Sequence, residues 1–354
     1  MGKNQHYVPQ FLLRNFAIAG SDRLTALADL KQKVIRRKVS IRDQCSKNFI
    51  YSLDSKDNVV EEALQRLEGV TAATIRQILH SETPPSYATR EWYHLLEFIV
   101  VQHSRTPSSG RAIERFVTDM VRGIAATPGV LRSDPPPTLE QLRKITVSHP
   151  KPELLALTHS LDMIPCLFDL QDLIVINLSG LEFVLPDVGV VLHNEWGRKV
   201  TTIGMSGYSS SGLQILLPLT PSILLVKFDP EIYRVPGDRA VMTSCQIDVA
   251  KVNRLLLAHA EQNVYFSGSV TTEKMLSRFE RHRRTPRAEH VRSVRIQSDD
   301  QKRVAILGYE EVPDIALDVR WMRVRKYADS IPTSRRAGRR RESSVRHAQE
   351  MGIE

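Results

Sequence analysis

Glu91-Trp-Tyr-His-Leu-Leu-Glu-Phe-Ile-Val-Val-Gln-His-Ser-Arg-Thr-Pro107 is the stretch on which the fold turns. Apolar residues at 92, 95, 96 and 98–101 mark a helix from about residue 87 to 104. Its later half is apolar nearly all round, the mark of a helix buried inside a core. Upstream, Val60, Leu64, Leu67, Thr71, Ile75 and Ile78 recur every three or four residues and predict a helix over 60–80, stopped by Pro84-Pro85. Before that lie strand-like runs at 24–28 and 34–40, joined by Lys31-Gln-Lys33, and a third extended stretch at 48–53. Residues 9–17 read as a short helix begun by Pro9 and closed by Gly20.

Downstream, helices are expected at 111–122, 139–145 and 154–163, with Ser133-Asp-Pro-Pro-Pro-Thr138 as a stiff linker whose Thr138 caps the second. The pattern then shortens to apolar runs at 172–178, 181–185, 188–193, 213–217 and 222–228, which read as buried strands. Residues 249–264 return to helix. Past Pro286, the runs 291–297, 303–309 and 316–325 predict a small β-meander, its first turn at Ser298-Asp-Asp-Gln301. Strands, then helices, then strands predict an α+β fold: a mixed helical bundle packed on a largely antiparallel sheet, with a small C-terminal β-meander and a basic disordered tail. The expected division is a core at 1–270, a helix plus small basic β extension at 271–328, and the tail at 329–354. Gly-x-Gly-x-x-Gly and Gly-Lys-Ser/Thr are both missing from the sequence, which removes dinucleotide-binding and P-loop functions.

The chain has 354 residues, a net charge of +9 and three widely spaced cysteines, Cys45, Cys166 and Cys245. An odd, scattered set supports neither a disulfide framework nor a Cys-pair zinc site, and a reducing cytoplasm is expected. No apolar run reaches the ~20 residues of a membrane span, and His6 stands where a myristoylation motif needs Ser or Thr. The charge is local. Residues 271–297 carry +5 and residues 320–347 carry +8, leaving the remainder at −4. The core is therefore nearly neutral, and the base belongs to the C-terminal third.

Three stretches put polar residues where a core is being built. His6 and Gln10 flank the start of the first helix, whose Phe11, Leu12 and Phe16 need burial. A His in that position serves as ligand, proton carrier or structural tie. Glu61 and Glu68, seven apart, fall about 20° from each other on one helix flank. There they can share acid and base roles, bind a divalent cation, or form a solvated edge. Gln102 and Arg105 end the buried helix, so they belong either to a polar core network or to a site, with Arg105 able to pair with Glu61 or Glu68 or to clamp a phosphate. Asp187, in Leu185-Pro-Asp-Val-Gly189, stands at a strand end. Pro186-Asp187 with Glu195 and Lys199 imitates a Pro-Asp…Glu-x-Lys nuclease signature, but Trp196-Gly197 follows Glu195 and no Lys stands two residues on. No Gly-x-Ser-x-Gly elbow or His-Glu-x-x-His helix occurs. In the C-terminal third, Arg320, Arg323 and Arg325 interleave with Tyr309, Trp321 and Tyr327, as suits single-stranded nucleic acid or an ordinary strand. Arg335, Arg336, Arg339, Arg340 and Arg341 form a run fit for phosphate contact or for solubility alone.

His6-Tyr-Val-Pro-Gln-Phe-Leu-Leu-Arg-Asn-Phe16, Val60-Glu61…Glu68, Gln102-His-Ser-Arg-Thr-Pro107, Pro218-Leu-Thr-Pro221 and the helix around Asn253 occur in one order. That series resembles the mostly bacterial "domain of unknown function 4238" family, over about residues 4–267. The family's Ser-Asp-x-Pro turn appears here as Pro186-Asp-Val-Gly189, so only Asp187 is kept. The resemblance carries no established activity. The residues themselves lead to a nucleic-acid-directed hydrolase, with a divalent cation as candidate cofactor and nucleic acid as the partner of the basic segment. A non-catalytic nucleic-acid-binding or protein-interaction module is the alternative.

Overall fold

The computed structural model describes residues 4–51, 59–126, 138–200, 204–237, 239–282, 291–297, 304–310 and 314–350. The expected linker at 133–137, the turn at 298–301, part of the 48–53 stretch and the last four tail residues lie outside the described residues. The first half runs β1 (Asn4–His6), α1 (Gln10–Arg14), β2 (Leu24–Asp29), β3 (Val34–Ser40), β4 (Ser46–Asn48), α2 (Val59–Ser81), α3 (Arg90–Ser104), α4 (Pro107–Ala125), α5 (Leu139–Lys144) and α6 (Pro152–Ser160). A 3₁₀ segment, Leu161–Leu167, leads to β5 (Gln171–Asn177), β6 (Leu185–Pro186), β7 (Val191–His193), β8 (Gln214–Thr220), β9 (Ile223–Phe228), β10 (Tyr233–Arg234) and β11 (Ala240–Thr243). Then come α7 (Gln246–His259), β12 (Asn263–Phe266), α8 (Val270–His282), β13 (Val291–Gln297), β14 (Val304–Glu310), β15 (Arg323–Val324), α9 (Lys326–Asp329) and α10 (Glu342–Glu350). Helix starts follow their caps. Thr89 accepts from Trp92 N to begin α3, Thr106 precedes Pro107 at the head of α4, and Thr138 with Gln141 forms a capping box on α5.

The fold is α+β. A five-stranded sheet, β11-β5-β9-β8-β7, is antiparallel except where β11 runs alongside β5. A four-stranded antiparallel sheet has the order β3-β2-β12-β6. The larger sheet is buried on both faces, and the two-residue strand period sorts its side chains between them. Ile174, Ile176, Ile215, Leu217 and Leu225 pack with Leu95, Leu96, Phe98 and Ile99 of α3. Leu173, Val175, Leu216, Leu224 and Val226 pack on the other side with Val249, Val252, Leu255 and Leu256 of α7. The later half of α3, read as apolar nearly all round, is buried against the sheet.

Apart from the run at 181–185, of which only Leu185 enters a strand, the structure differs from the sequence expectations in three places. The helix expected to run to 264 stops at His259, and Val264 sits in β12, paired with Ala28 and Pro186. The run at 316–325 does not join a meander. Among the described residues β13 pairs with β14, whereas β15 pairs with β10. Leu317, Val319, Trp321 and Met322 are buried in the α7 side of the core, so their alternation serves packing rather than a third meander strand. The tail expected to be disordered from 329 carries the end of α9, a 3₁₀ turn and α10 as far as Glu350. Its Arg341 is only 4% exposed and is bound by the core, which offsets the entropy that its composition alone could not.

Candidate active site

β1 pairs with β4, setting Gln5 opposite Lys47 and His6 opposite Ser46, and Pro9 then turns the chain into α1. Leu12, Leu13 and Phe16 are fully buried and fix that short helix against the sheet. The polar side is thereby aligned. His6 Nε2 lies 3.0 Å from the Arg42 carbonyl, which can only accept, so this nitrogen carries the proton and Nδ1 is the basic one. Gln10 Nε2 sits 3.3 Å from His6 Nε2, and Arg14 donates to Gln10 Oε1 at 2.8 Å.

The C-terminal end of α3 meets this motif from the core side. Gln102 Nε2 donates to the Tyr7 carbonyl at 2.9 Å and to the Val188 carbonyl at 3.1 Å. Its Oε1 accepts from Arg105 Nε at 2.9 Å, and Arg105 Nη1 donates to Glu68 Oε1 at 2.7 Å. Tyr51 donates from its hydroxyl to the Arg105 carbonyl at 2.7 Å, while its own N–H binds Gln5 Oε1 at 2.9 Å. Arg105 is 1% exposed, yet its Nη2 has no hydrogen-bond partner among the described residues. A buried guanidinium edge without an acceptor costs about 1–3 kcal/mol or more, so this edge calls for one.

Burial shifts the titrating groups around that edge toward neutrality. Glu61, half-buried on α2, has its carboxyl pushed above the usual range by desolvation, and nearby Glu68 adds to this. Desolvation pulls His6 below its ordinary value; Glu68 works against that and Arg105 with it. Glu68, Gln102 and Arg105 are thus joined by hydrogen bonds, with His6 and Glu61 coupled to them by charge and Gln10 standing next to His6.

Asp187 stands apart in role. Its carboxylate accepts from the N–H groups of Glu261, Gln262 and Asn263 at 2.7, 2.8 and 2.9 Å, holding the turn between α7 and β12. Burial pushes it up to about 6, while the same three donors pull it down. Its neighbours serve the site through the backbone. The Val188 carbonyl anchors Gln102, and Gly189 (φ +76°) lies so close that a Cβ there would stand 2.8 Å from Gln102 Nε2. Sequence reasoning missed Gln5, Tyr7, Tyr51 and Gly189. Only Gly189 left a signal, in the glycine that follows Pro-Asp-Val. Among the described residues no group of three or more His, Cys, Asp or Glu side chains converges as a metal ion requires, so the candidate divalent cation finds no donor set there.

A family model described as "Protein of unknown function (DUF4238)" matches residues 4–269. The chain belongs to the DUF4238 family. No curated protein and no solved structure matches it. In this DUF4238 chain the motif segments meet in space. Asn15 donates to the Leu219 carbonyl at 2.9 Å, Gln102 joins Tyr7 to Val188, and Asn253 pins the 182–184 backbone through Val184 N and the Glu182 carbonyl.

The C-terminal arginines divide. Arg325 donates to the Pro230 and Tyr233 carbonyls. Arg336 stacks over Trp196 at 5.1 Å and donates to three backbone carbonyls. Arg341 Nε binds both oxygens of Asp169 at 2.9 and 3.0 Å, while Nη1 and Nη2 donate to the carbonyls of Ser210, Cys166 and Tyr208. Arg323 pairs with Asp318. Arg320, Arg335, Arg339 and Arg340 are exposed. Trp321 is buried in the core, so it offers no ring to a ligand. No helix among the described residues is long and apolar enough to cross a membrane.

Proposed function

We propose that the protein is a hydrolase acting on phosphodiester bonds of nucleic acid, with Arg105 as phosphate contact, His6 as general base and Glu61 as general acid. The observation that carries this is the Nη2 edge of a fully buried Arg105, without a partner among the described residues. A phosphoryl oxygen is the acceptor that a guanidinium edge fits best. In the reaction, His6 Nδ1 takes a proton from water as the water oxygen bonds to phosphorus. The bond from phosphorus to the leaving sugar oxygen breaks, and that oxygen receives the proton of Glu61. A phosphomonoester and a hydroxyl result, and His6 and Glu61 exchange protons with solvent to reset. Burial supports both roles, since it favours a neutral imidazole and a protonated carboxyl. Glu68 and Gln102 position Arg105, the Arg42 carbonyl steadies His6, and Asp187 positions the loop beneath Gln102. Three free cysteines, two of them buried, suit a cytoplasmic protein.

A non-catalytic nucleic-acid-binding or protein-interaction module is the second reading, favoured by Gln102 and Asp187, whose polar atoms are all bonded to backbone or to Arg105. Incubation of the purified chain with labelled single strands and duplexes of DNA and RNA separates the two. Cleavage that is lost in Glu61→Gln and His6→Ala, both still folded, supports the hydrolase. Cleavage of no substrate, or cleavage unchanged in both variants, leaves the module.

A further inference from the structure

In the C-terminal segment that the sequence nominated, Trp321 is buried and Tyr327 is 53% exposed; a row of four packed rings lies elsewhere. Tyr87 packs on Trp92 with ring centroids 4.8 Å apart, Trp92 on Phe168 at 5.4 Å, and Tyr93 on Phe168 at 6.5 Å. The ends of this row are open: Tyr87 is 68% exposed and Tyr93 41%. Its middle is fixed, with Trp92 buried and backed by the Lys227 ammonium 5.8 Å from the ring centroid. Such rings are held at no further entropic cost, as a stacking platform requires.

The next residue after Phe168 is Asp169, which holds Arg341. α10 packs on the Leu161–Leu167 segment, and so does α3, which carries Trp92 and Tyr93. The ring row and the basic turn at 335–340 are therefore seated on one short segment, residues 161–169. On that turn Arg335, Arg339 and Arg340 are exposed, and Arg90 is exposed at the head of α3. The exposed acids on the same elements are Glu91, Asp162, Glu342 and Glu350, against Arg90, Arg335, Arg339, Arg340 and Arg346; Glu342 pairs with Arg346. Open rings and exposed guanidinium groups carried by elements that pack on one segment match a polymer that alternates flat bases with phosphates.

We infer that this surface binds single-stranded nucleic acid, with bases stacked on Tyr87 and Tyr93 and phosphates on Arg339 and Arg340. A duplex hides its base faces and cannot use the rings, so the surface discriminates in favour of unpaired strands. The inference rests on the nucleic-acid half of the proposed function and not on the chemistry at Arg105.

The test is fluorescence anisotropy of the full chain with a labelled twelve-nucleotide single strand and with a duplex of the same length, titrated with salt. Replacing Tyr87 and Tyr93 together by Ala, with Trp92 and Phe168 kept and melting checked, is expected to weaken single-strand binding ~10-fold or more, leaving the salt slope and duplex affinity unchanged. Replacing Arg339 and Arg340 by Ala, with Arg341 kept, is expected to flatten the slope of log K against log salt by about 1.4. Absence of single-strand binding at low salt, or equal binding by the wild type and the tyrosine variant, overturns the inference. The two proposals fail separately. Tyrosine-dependent binding without cleavage removes only the hydrolase, and cleavage with tyrosine-independent binding removes only this surface.

Discussion

Two buried arginines hold the ends of this chain to its core, and they do so differently. Arg341, in the C-terminal strap, commits every nitrogen of its guanidinium, to Asp169 and three backbone carbonyls. Arg105, beneath the N-terminal motif, commits Nε and Nη1 and leaves Nη2 without a partner among the described residues. The first is a staple, since its charge is neutralised and its donors satisfied within the protein. The second is as deeply buried but incomplete, and an incomplete buried cation is what an anion site requires. Charge density alone would have ranked them the other way, because Arg341 sits in the most basic run of the sequence and Arg105 in a nearly neutral core.

Breaking the incomplete side gives the largest effect. Glu61→Gln is expected to lower kcat by about 10²- to 10⁴-fold with little change in KM. The pH profile carries the sign. His6 must be neutral, so the rate rises with pH through its lowered value; Glu61 must be protonated, so the rate falls with pH above its raised value. The optimum lies on the acid side of neutrality, and Glu61→Gln removes the falling limb.

Breaking the staple costs stability instead. Arg341→Met strands Asp169 and three carbonyl oxygens that had accepted charged donors, and urea unfolding should show a loss of about 3 kcal/mol. Hydrolysis per folded molecule should be unchanged.

Asp187 sharpens the comparison through pH. Its carboxyl moves from 3.8 up to about 6 on folding, so the folded state binds the proton more tightly. The stabilisation this gives is complete below the unfolded value and is lost as pH rises through about 6. The stability penalty of Asp187→Asn, measured by urea unfolding at both ends of that window, should therefore shrink by up to about 3 kcal/mol from pH 4 to pH 7. The smallest expected effect is at Gly189, where φ is +76° and a Cβ would crowd Gln102. Gly189→Ala should cost about 1–2 kcal/mol in the same assay.

Much of this was legible in the residues, for reasons that can be named. The 3.6-residue and two-residue periods located α2, α3, β3 and β9 to within a few residues, because burial on defined faces writes itself into side-chain type. β12 was not legible, because the polar stretch before Val264 is compatible with a helix flank and the three N–H bonds that hold the turn there go to Asp187, distant in sequence. At the site, polar residues closing an apolar helix announced Gln102 and Arg105. The partners of Gln102 at Tyr7 and Val188 are backbone carbonyls, which every residue owns and no sequence marks. The strap was misjudged for the converse reason: composition records that arginines are present but not that Asp169 and a ring of carbonyls await one of them.

The contrast between the two arginines can be read directly by following guanidinium resonances of the full-length Glu61→Gln variant, labelled with ¹⁵N-arginine, during titration with a dinucleoside monophosphate. Arg105 is assigned by its loss in Arg105→Lys, and Arg341 by its loss in Arg341→Lys. The predicted result is a saturable shift of the Arg105 signal with the Arg341 signal unmoved. An Arg105 signal that stays in place throughout the titration would contradict the assignment of this buried edge as the phosphate contact.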